Sequence, residues 1–292
     1  ENFPDHIDYS YSVLLMAAAA RSYSLNIIDT TEVLTAYKNA IGAVETQLEI
    51  HPGDARNIAA ANKIDSIFLS GGPKTCSTIE AIYSRKIDQN IHDTVLINKV
   101  FNLLTETDCT RSDFFYRIAV KLYANNRSAE NAVRLAELNL ARKNKDKAVS
   151  YFTEAYKTDT SKIVRSEVVT RIAAMELAEG KRQEARDRGE HAWQLNNKNG
   201  KALLIIAEAY AGSKIGDAFD NHSAYWVAVD YLMFAKTVDP SLKETADEKI
   251  RTYSKLFPTK EECYYRGITE QGIVYSVGSW ISEVTKVRFR KE

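Results

Sequence analysis

Apolar residues recur at steps of three and four along almost the whole chain, in segments separated by only a few polar residues. About thirteen helical segments follow from that spacing, near 8–25, 31–50, 54–69, 77–90, 93–106, 111–124, 129–143, 146–158, 163–180, 183–195, 199–213, 223–238 and 241–256. Candidate caps stand at Thr30 and Thr31, between Asp108 and Thr110, at Ser128 and at Ser241 after Pro240. Helices joined by such short links must fold back antiparallel on their neighbours, so an all-α chain of helix hairpins is expected. Only 12 Gly and 5 Pro occur in 292 residues, too few for a sandwich or barrel of many short strands. With 45% apolar and 27% charged residues the chain can bury a core, which excludes disorder as the default. Lys plus Arg equal Asp plus Glu at 39 each, which argues against a surface built to coat nucleic acid or anionic lipid.

Similar hairpin units recur at 129–162, at 166–199 and from Gly200. In 129–162, contact positions fall at Ala132, Leu135, Ala136, Ala148, Phe152 and Ala155. In 166–199, Ala173, Ala185 and Ala192 take the three small places, and Gly189 stands where an aromatic is usual, which predicts a weakened contact. A third unit from Gly200 carries Leu203, Ala207 and Tyr210, then Ala228, Leu232, Ala235 and Pro240, with an insertion of about nine residues near 215–223. These motifs resemble the tetratricopeptide repeat (TPR), whose small residues let two helices approach while a bulky one fills the gap. Ala40, Val44 and Pro52 fit the second half of a degenerate repeat. Cys76 to Tyr83 and Cys109 to Tyr116 share one spacing displaced by 33 residues, which reads as a divergent hairpin pair. The resemblance implies a right-handed superhelix of antiparallel hairpins, a TPR-like α-solenoid. Divergent repeats would occupy 1–124 and recognisable ones 125–257.

After Phe257 and Pro258 the pattern changes. Gly267, Gly272 and Gly278 punctuate a run with apolar Ile281, Val284, Val287 and Phe289, so 258–292 is expected to form a small β-hairpin-like cap with Trp280 and Phe289 packed on the last helices. A strand pairing with another chain is the alternative. The tail from Lys286 through Arg288 and Arg290 to Lys291 would make one strand face cationic.

Three cysteines are too few for a disulfide scaffold and lack paired zinc-site spacing. Cys76 and Cys109 are the candidate disulfide. An ideal repeat stack would hold them about 10 Å apart, beyond the roughly 7 Å limit for a bridge, whereas irregular stacking would bring them together. Two half-buried thiols are the other reading, and Cys263 is expected to be an inert thiol.

The five histidines are scattered without a ligand-pair spacing; the best metal candidate is Asp217, Asp220 and His222, which turn and cap use explains more simply. The Ser70 to Pro73 run reads as a helix stop, and Gly212 to Gly216 and Arg142 to Lys147 read as turns. No catalytic residues, cofactor or metal are therefore expected.

The longest apolar run, Val13 to Ala20, is too short to span a membrane. A chain opening at Glu1 rather than Met is expected to be a mature or trimmed form.

The resemblance implies a non-enzymatic scaffold that holds a protein or peptide, with no nucleic acid, on the concave face lined by the first helix of each hairpin. On that face it brings forward Glu130, Val133, Arg134, Glu137, Thr170, Arg171, Lys201, Leu204 and Glu208. Members that clamp a chaperone's C-terminal carboxylate carry Lys and Asn at two of these places, where this chain has Val133 and Glu137. A chaperone cofactor is therefore not expected. The C-terminal run resembles bacterial exported repeat proteins, which implies a periplasmic, outer-membrane-associated or secreted component making its contacts through the strands and the 215–223 loop. A carbohydrate-stacking platform on Trp226, Trp280 and nearby Tyr residues is the remaining alternative.

Overall fold

The computed structural model describes residues 9–290. Among them are fourteen α-helices, one 3-10 turn and two short strands, divided between compact units at 1–126 and 127–292.

The first unit holds α1 (Tyr9–Ser24), α2 (Thr30–Ile50), α3 (Ala55–Gly71), α4 (Cys76–Gln89), α5 (Thr94–Glu106) and α6 (Asp113–Asn125). Asp29 and Glu32 close a capping box at the start of α2, one residue ahead of the expected Thr30 and Thr31. Asp54, Thr75, Asp93 and Ser112 accept backbone N–H bonds at the next four starts. The expected cap near Asp108 is replaced by Ser112, because Asp108 takes a left-handed φ of 56° in the turn leaving α5. Each such cap contributes about 1 kcal/mol.

Inside this unit α1 packs along α2 and α3, and Tyr37 stacks on Phe68 with ring centroids 4.4 Å apart. The Tyr37 hydroxyl donates to Asp65 Oδ1 at 2.8 Å, and the Lys86 ammonium reaches Asp65 Oδ2. One buried carboxylate thus ties α2, α3 and α4 together. At the stop after α3, a Cβ on Gly72 would lie 2.6 Å from the Phe68 ring, so close approach selects glycine there.

The second unit pairs α7 (Ala129–Ala141) with α8 (Lys145–Thr158), α9 (Lys162–Ala178) with α10 (Arg182–Leu195), and α11 (Gly200–Tyr210) with α12 (Ala218–Val238). The 3-10 turn Pro240–Leu242, α13 (Lys243–Ser254), α14 (Lys260–Tyr264), β1 (Val274–Val277) and β2 (Glu283–Lys286) follow. The small and bulky positions read from the repeat pattern, Ala132 through Ala155, Ala173 through Ala192 and Leu203 through Ala235, are buried almost completely. Gly189 does not weaken its contact. A Cβ there would meet Ile206 Cγ1 at 2.7 Å, so the missing side chain is what lets α10 approach α11.

The insertion is shorter than expected. Asp217 and Asp220 form a capping box that starts α12 at Ala218, so 218–223 is helical. Arg182 Nη1 donates to the carbonyls of Glu208, Ala209 and Ala211, satisfying the end of α11 before the turn at Gly212.

β1 and β2 pair antiparallel with Val274 opposite Lys286 and Val277 opposite Glu283. Their inner face puts Val277, Ile281, Thr285 and Val287 against α12, while Val284 on the outer face is 67% exposed. Trp226 Nε1 donates to the Arg288 carbonyl at 2.6 Å, and Tyr231 donates to Glu283 at 2.8 Å. The hairpin is a cap on the last helix pair.

The repeat period also appears as contacts. His92 and Asn125, Arg117 and Ser84, and Asn199 and Ser166 meet at a separation of 33, and Arg171 and Glu137 and Lys145 and Glu179 at 34. Such contacts join residues about one repeat length apart within each unit, as the stacked hairpins of a TPR-like helical repeat do.

Candidate functional site

Glu130, Arg134 and Glu137 lie four and three residues apart and share one side of α7. Arg134 Nη2 bonds Glu130 Oε1 at 2.5 Å along the helix, and Arg171 of α9 crosses to Glu137. Both members of that cross-helix pair are a little under half exposed, so they are screened and contribute at most about 1 kcal/mol to stability. Lys201, at the start of α11, is exposed. Glu208, two turns further along α11, is half-buried and takes Lys249 of α13 at 2.9 Å. The first helices therefore carry a strip of charges of both signs, in which most are already paired.

Two expected members leave the strip. Thr170 is only 9% exposed, its hydroxyl donating to the Ser166 carbonyl at 2.8 Å and accepting from Asn199 at 2.9 Å. One step along a helix turns a side chain about 100°, so Thr170 packs inward where Arg171 points out. Leu204 is half-buried in the core of α11, α12 and α13. Conversely, Lys249 joins the strip although the sequence reading missed it: the insertion shifts the register before α13, leaving no repeat-equivalent position to read.

Cys76 and Cys109 are joined, with Cα atoms 5.4 Å apart. Cys76 opens α4, whereas Cys109 lies in the turn ahead of α6, so the two are not structurally equivalent and the 10 Å spacing of an ideal stack does not apply. Cys263 is free and buried, its thiol pushed up to about 11, chiefly by burial and also by Glu262.

The other candidate groups are engaged elsewhere. Asp217 and Asp220 cap α12 and take Arg266, and His222 Nδ1 meets Glu262 at 3.2 Å. Trp226 is fully buried, and Trp280 is half-buried beneath Arg186, whose guanidinium lies 5.6 Å from the ring centre. Neither can serve as an open stacking platform. Two charges of the cationic tail are engaged: Arg288 pairs with Asp230 at 2.9 Å, and Arg290 lies 3.9 Å from Glu262 and donates to the Phe257 carbonyl at 3.0 Å. Lys286 remains exposed, and Lys291 lies outside the described residues. No helix among the described residues is long and apolar enough to cross a membrane.

No family model matches the chain, and no curated protein matches it. Among solved structures, the MamA protein is similar at 14% identity over 72% of this chain and 94% of that one, with a TM-score of 0.43. A monomeric mutant of IFIT1 with m7Gppp-AAAA is similar at 13% identity over 86% of this chain and 55% of that one, with a TM-score of 0.40.

Proposed function

We propose that the chain is a non-enzymatic scaffold that holds a protein or peptide partner along the first helices of its second unit. The observation that carries this reading is the strip formed by Glu130, Arg134, Glu137, Arg171, Lys201 and Glu208, with Lys249 added from α13. It carries charges of both signs and its cross-helix pair is accessible, so a partner of matching pattern can exchange ion pairs with it at little cost in fold stability. Electrostatic matching of this kind sets register and specificity more than raw affinity.

The test exchanges the pair, Glu137→Arg with Arg171→Glu. The bridge between α7 and α9 is retained in reverse, so the melting temperature should hold, while the pattern offered to a partner is inverted. Partners cross-linked to the wild type in an extract of the source and identified by mass spectrometry should be lost from the exchanged variant. Retention of the same partners at the same yield would sink the reading.

A second reading, a component of a bacterial envelope assembly that makes its contacts through the C-terminal hairpin, is supported by two observations. The Cys76–Cys109 bridge suits an oxidising compartment. Val274 and Val284 stand 70% and 67% exposed on the outer face of the hairpin, beside an open groove of about 650 Å³ that also involves Met233 and Lys286. Val284→Lys should abolish capture of partners in this reading and leave it unchanged in the first.

A further inference from the structure

The first unit contains a cleft of about 400 Å³ between α3, α4 and α5. Where α1 lies directly along α3, α5 stands off it, and the cleft occupies the space between. Its walls are apolar, built from Phe68 and Leu69 of α3, Ile79 and Tyr83 of α4 and Leu103 of α5. The Thr78 hydroxyl bonds Thr75 at 2.8 Å and the Thr107 hydroxyl donates to the Leu103 carbonyl at 2.8 Å, while the Tyr83 hydroxyl and the exposed Asn102 carboxamide also line the cleft. An extended peptide laid here would find few partners for its N–H and C=O groups, a cost that a hydrocarbon chain does not carry.

The disulfide holds one end of the cleft. Thr78 lies two residues after Cys76 and Thr107 two residues before Cys109, so the bridge fixes the spacing between the walls there. Lys74 and Glu106 stand at the rim, with opposite charges, near the bridged end. Lys99 lines the cleft two turns earlier along α5 and has no ion-pair partner among the described residues. Arg85 pairs with Glu45 and Glu49, Lys86 with Asp65, Arg117 with Glu80 and Lys121 with Asp88, whereas Lys74 on the same lining has, like Lys99, no ion pair among the described residues. Lys99 also adds to the positive potential around Lys86, whose ammonium is held below its ordinary value by burial first and by Lys99 as well, against Glu45.

We propose that this cleft binds a free medium-chain carboxylate, with its head on Lys99 and its hydrocarbon tail against Phe68, Ile79 and Leu103. A largely apolar cavity of this size with two lysines, Lys74 and Lys99, against one carboxylate, Glu106, on its lining has the complementarity that small amphiphilic anions require. The volume and the small number of hydrogen-bonding groups on the lining favour a small molecule over a polypeptide.

The experiment titrates the full-length oxidised chain, with its Ile and Leu methyl groups labelled, with decanoate, decanol and decyltrimethylammonium, all below their aggregation limits. Decanoate should give saturable methyl shifts centred on Ile79, Leu69 and Leu103. Lys99→Gln should weaken that binding about fivefold, and decanol should bind the unchanged protein more weakly by a similar factor. Leu103→Asn, which puts a polar group into the floor, should abolish the shifts at Ile79 while the helical signal is kept. The proposal is overturned if no methyl in the cleft shifts saturably, if decyltrimethylammonium matches decanoate, or if Lys99→Gln leaves the affinity unchanged.

Discussion

Opening the Cys76–Cys109 bridge should strongly destabilise the first unit. The bridge spans a sequence separation of 33 residues and encloses α4 and α5. Closing a loop of that length in the unfolded chain removes about 12.5 cal/mol/K, or about 3.7 kcal/mol at 25 °C. At about 2.1 cal/mol/K of unfolding entropy per residue, a unit covering 1–126 loses about 14 °C in melting temperature if it melts by itself. If all 292 residues melt together the same energy spreads over a larger transition, and the loss is about 6 °C. Circular-dichroism melts of the oxidised protein, the reduced protein and Cys76→Ala with Cys109→Ala measure this directly. The reduced wild type separates the cross-link from packing, because its side chains are otherwise unchanged. One reactive thiol under denaturing, non-reducing conditions, rising to three on reduction, establishes the starting state. A fall of less than about 2 °C on reduction, with that thiol count satisfied, would refute the loop-entropy reasoning.

Lys86→Met should cost about 3 kcal/mol in denaturant unfolding, because Asp65 is left buried with only the Tyr37 hydroxyl, and Asp65→Asn in the same chain should recover much of it. Equal stability of the single and double variants would remove the ion pair from the account. Gly189→Ala should destabilise the second unit by about 1–2 kcal/mol despite alanine's better helix propensity, since its Cβ must displace Ile206 and meets the Ala202 carbonyl at 3.3 Å. A stabilised variant would mean that α10 and α11 can separate freely. Cys263 should resist a thiol reagent at pH 8 in the native protein and react on unfolding. Its proton is held up to about 11 in the fold against an ordinary 9.0, so its contribution to stability is complete below 9.0 and lost as pH climbs toward 11. Rapid native labelling would show that the α14 region opens.

Helix periodicity, hairpin pairing and the small positions of the second unit were legible in the amino-acid sequence, because each is local or recurs at a fixed spacing. Ala136, Ala148 and Ala155 could be placed in the core from the 34-residue register alone, and they are fully buried. Local chemistry also set most helix starts, since Ser128 caps α7 by accepting from the Asn131 backbone. What the sequence could not decide were contacts whose partners come from different turns of the stack. Cys76 and Cys109 share a spacing with their tyrosines yet sit at different places relative to their helices, and only the turn through Asp108 brings them within reach. Thr170 and Arg171 are adjacent and both polar, but Asn199, 29 residues beyond Thr170, turns one of them into packing. Gly189 reads as a gap until Ile206 is seen to fill it. Periodicity is carried by the backbone and survives in one dimension; whether a side chain is free, paired or crowded depends on the neighbouring helix, and tertiary packing alone supplies that neighbour.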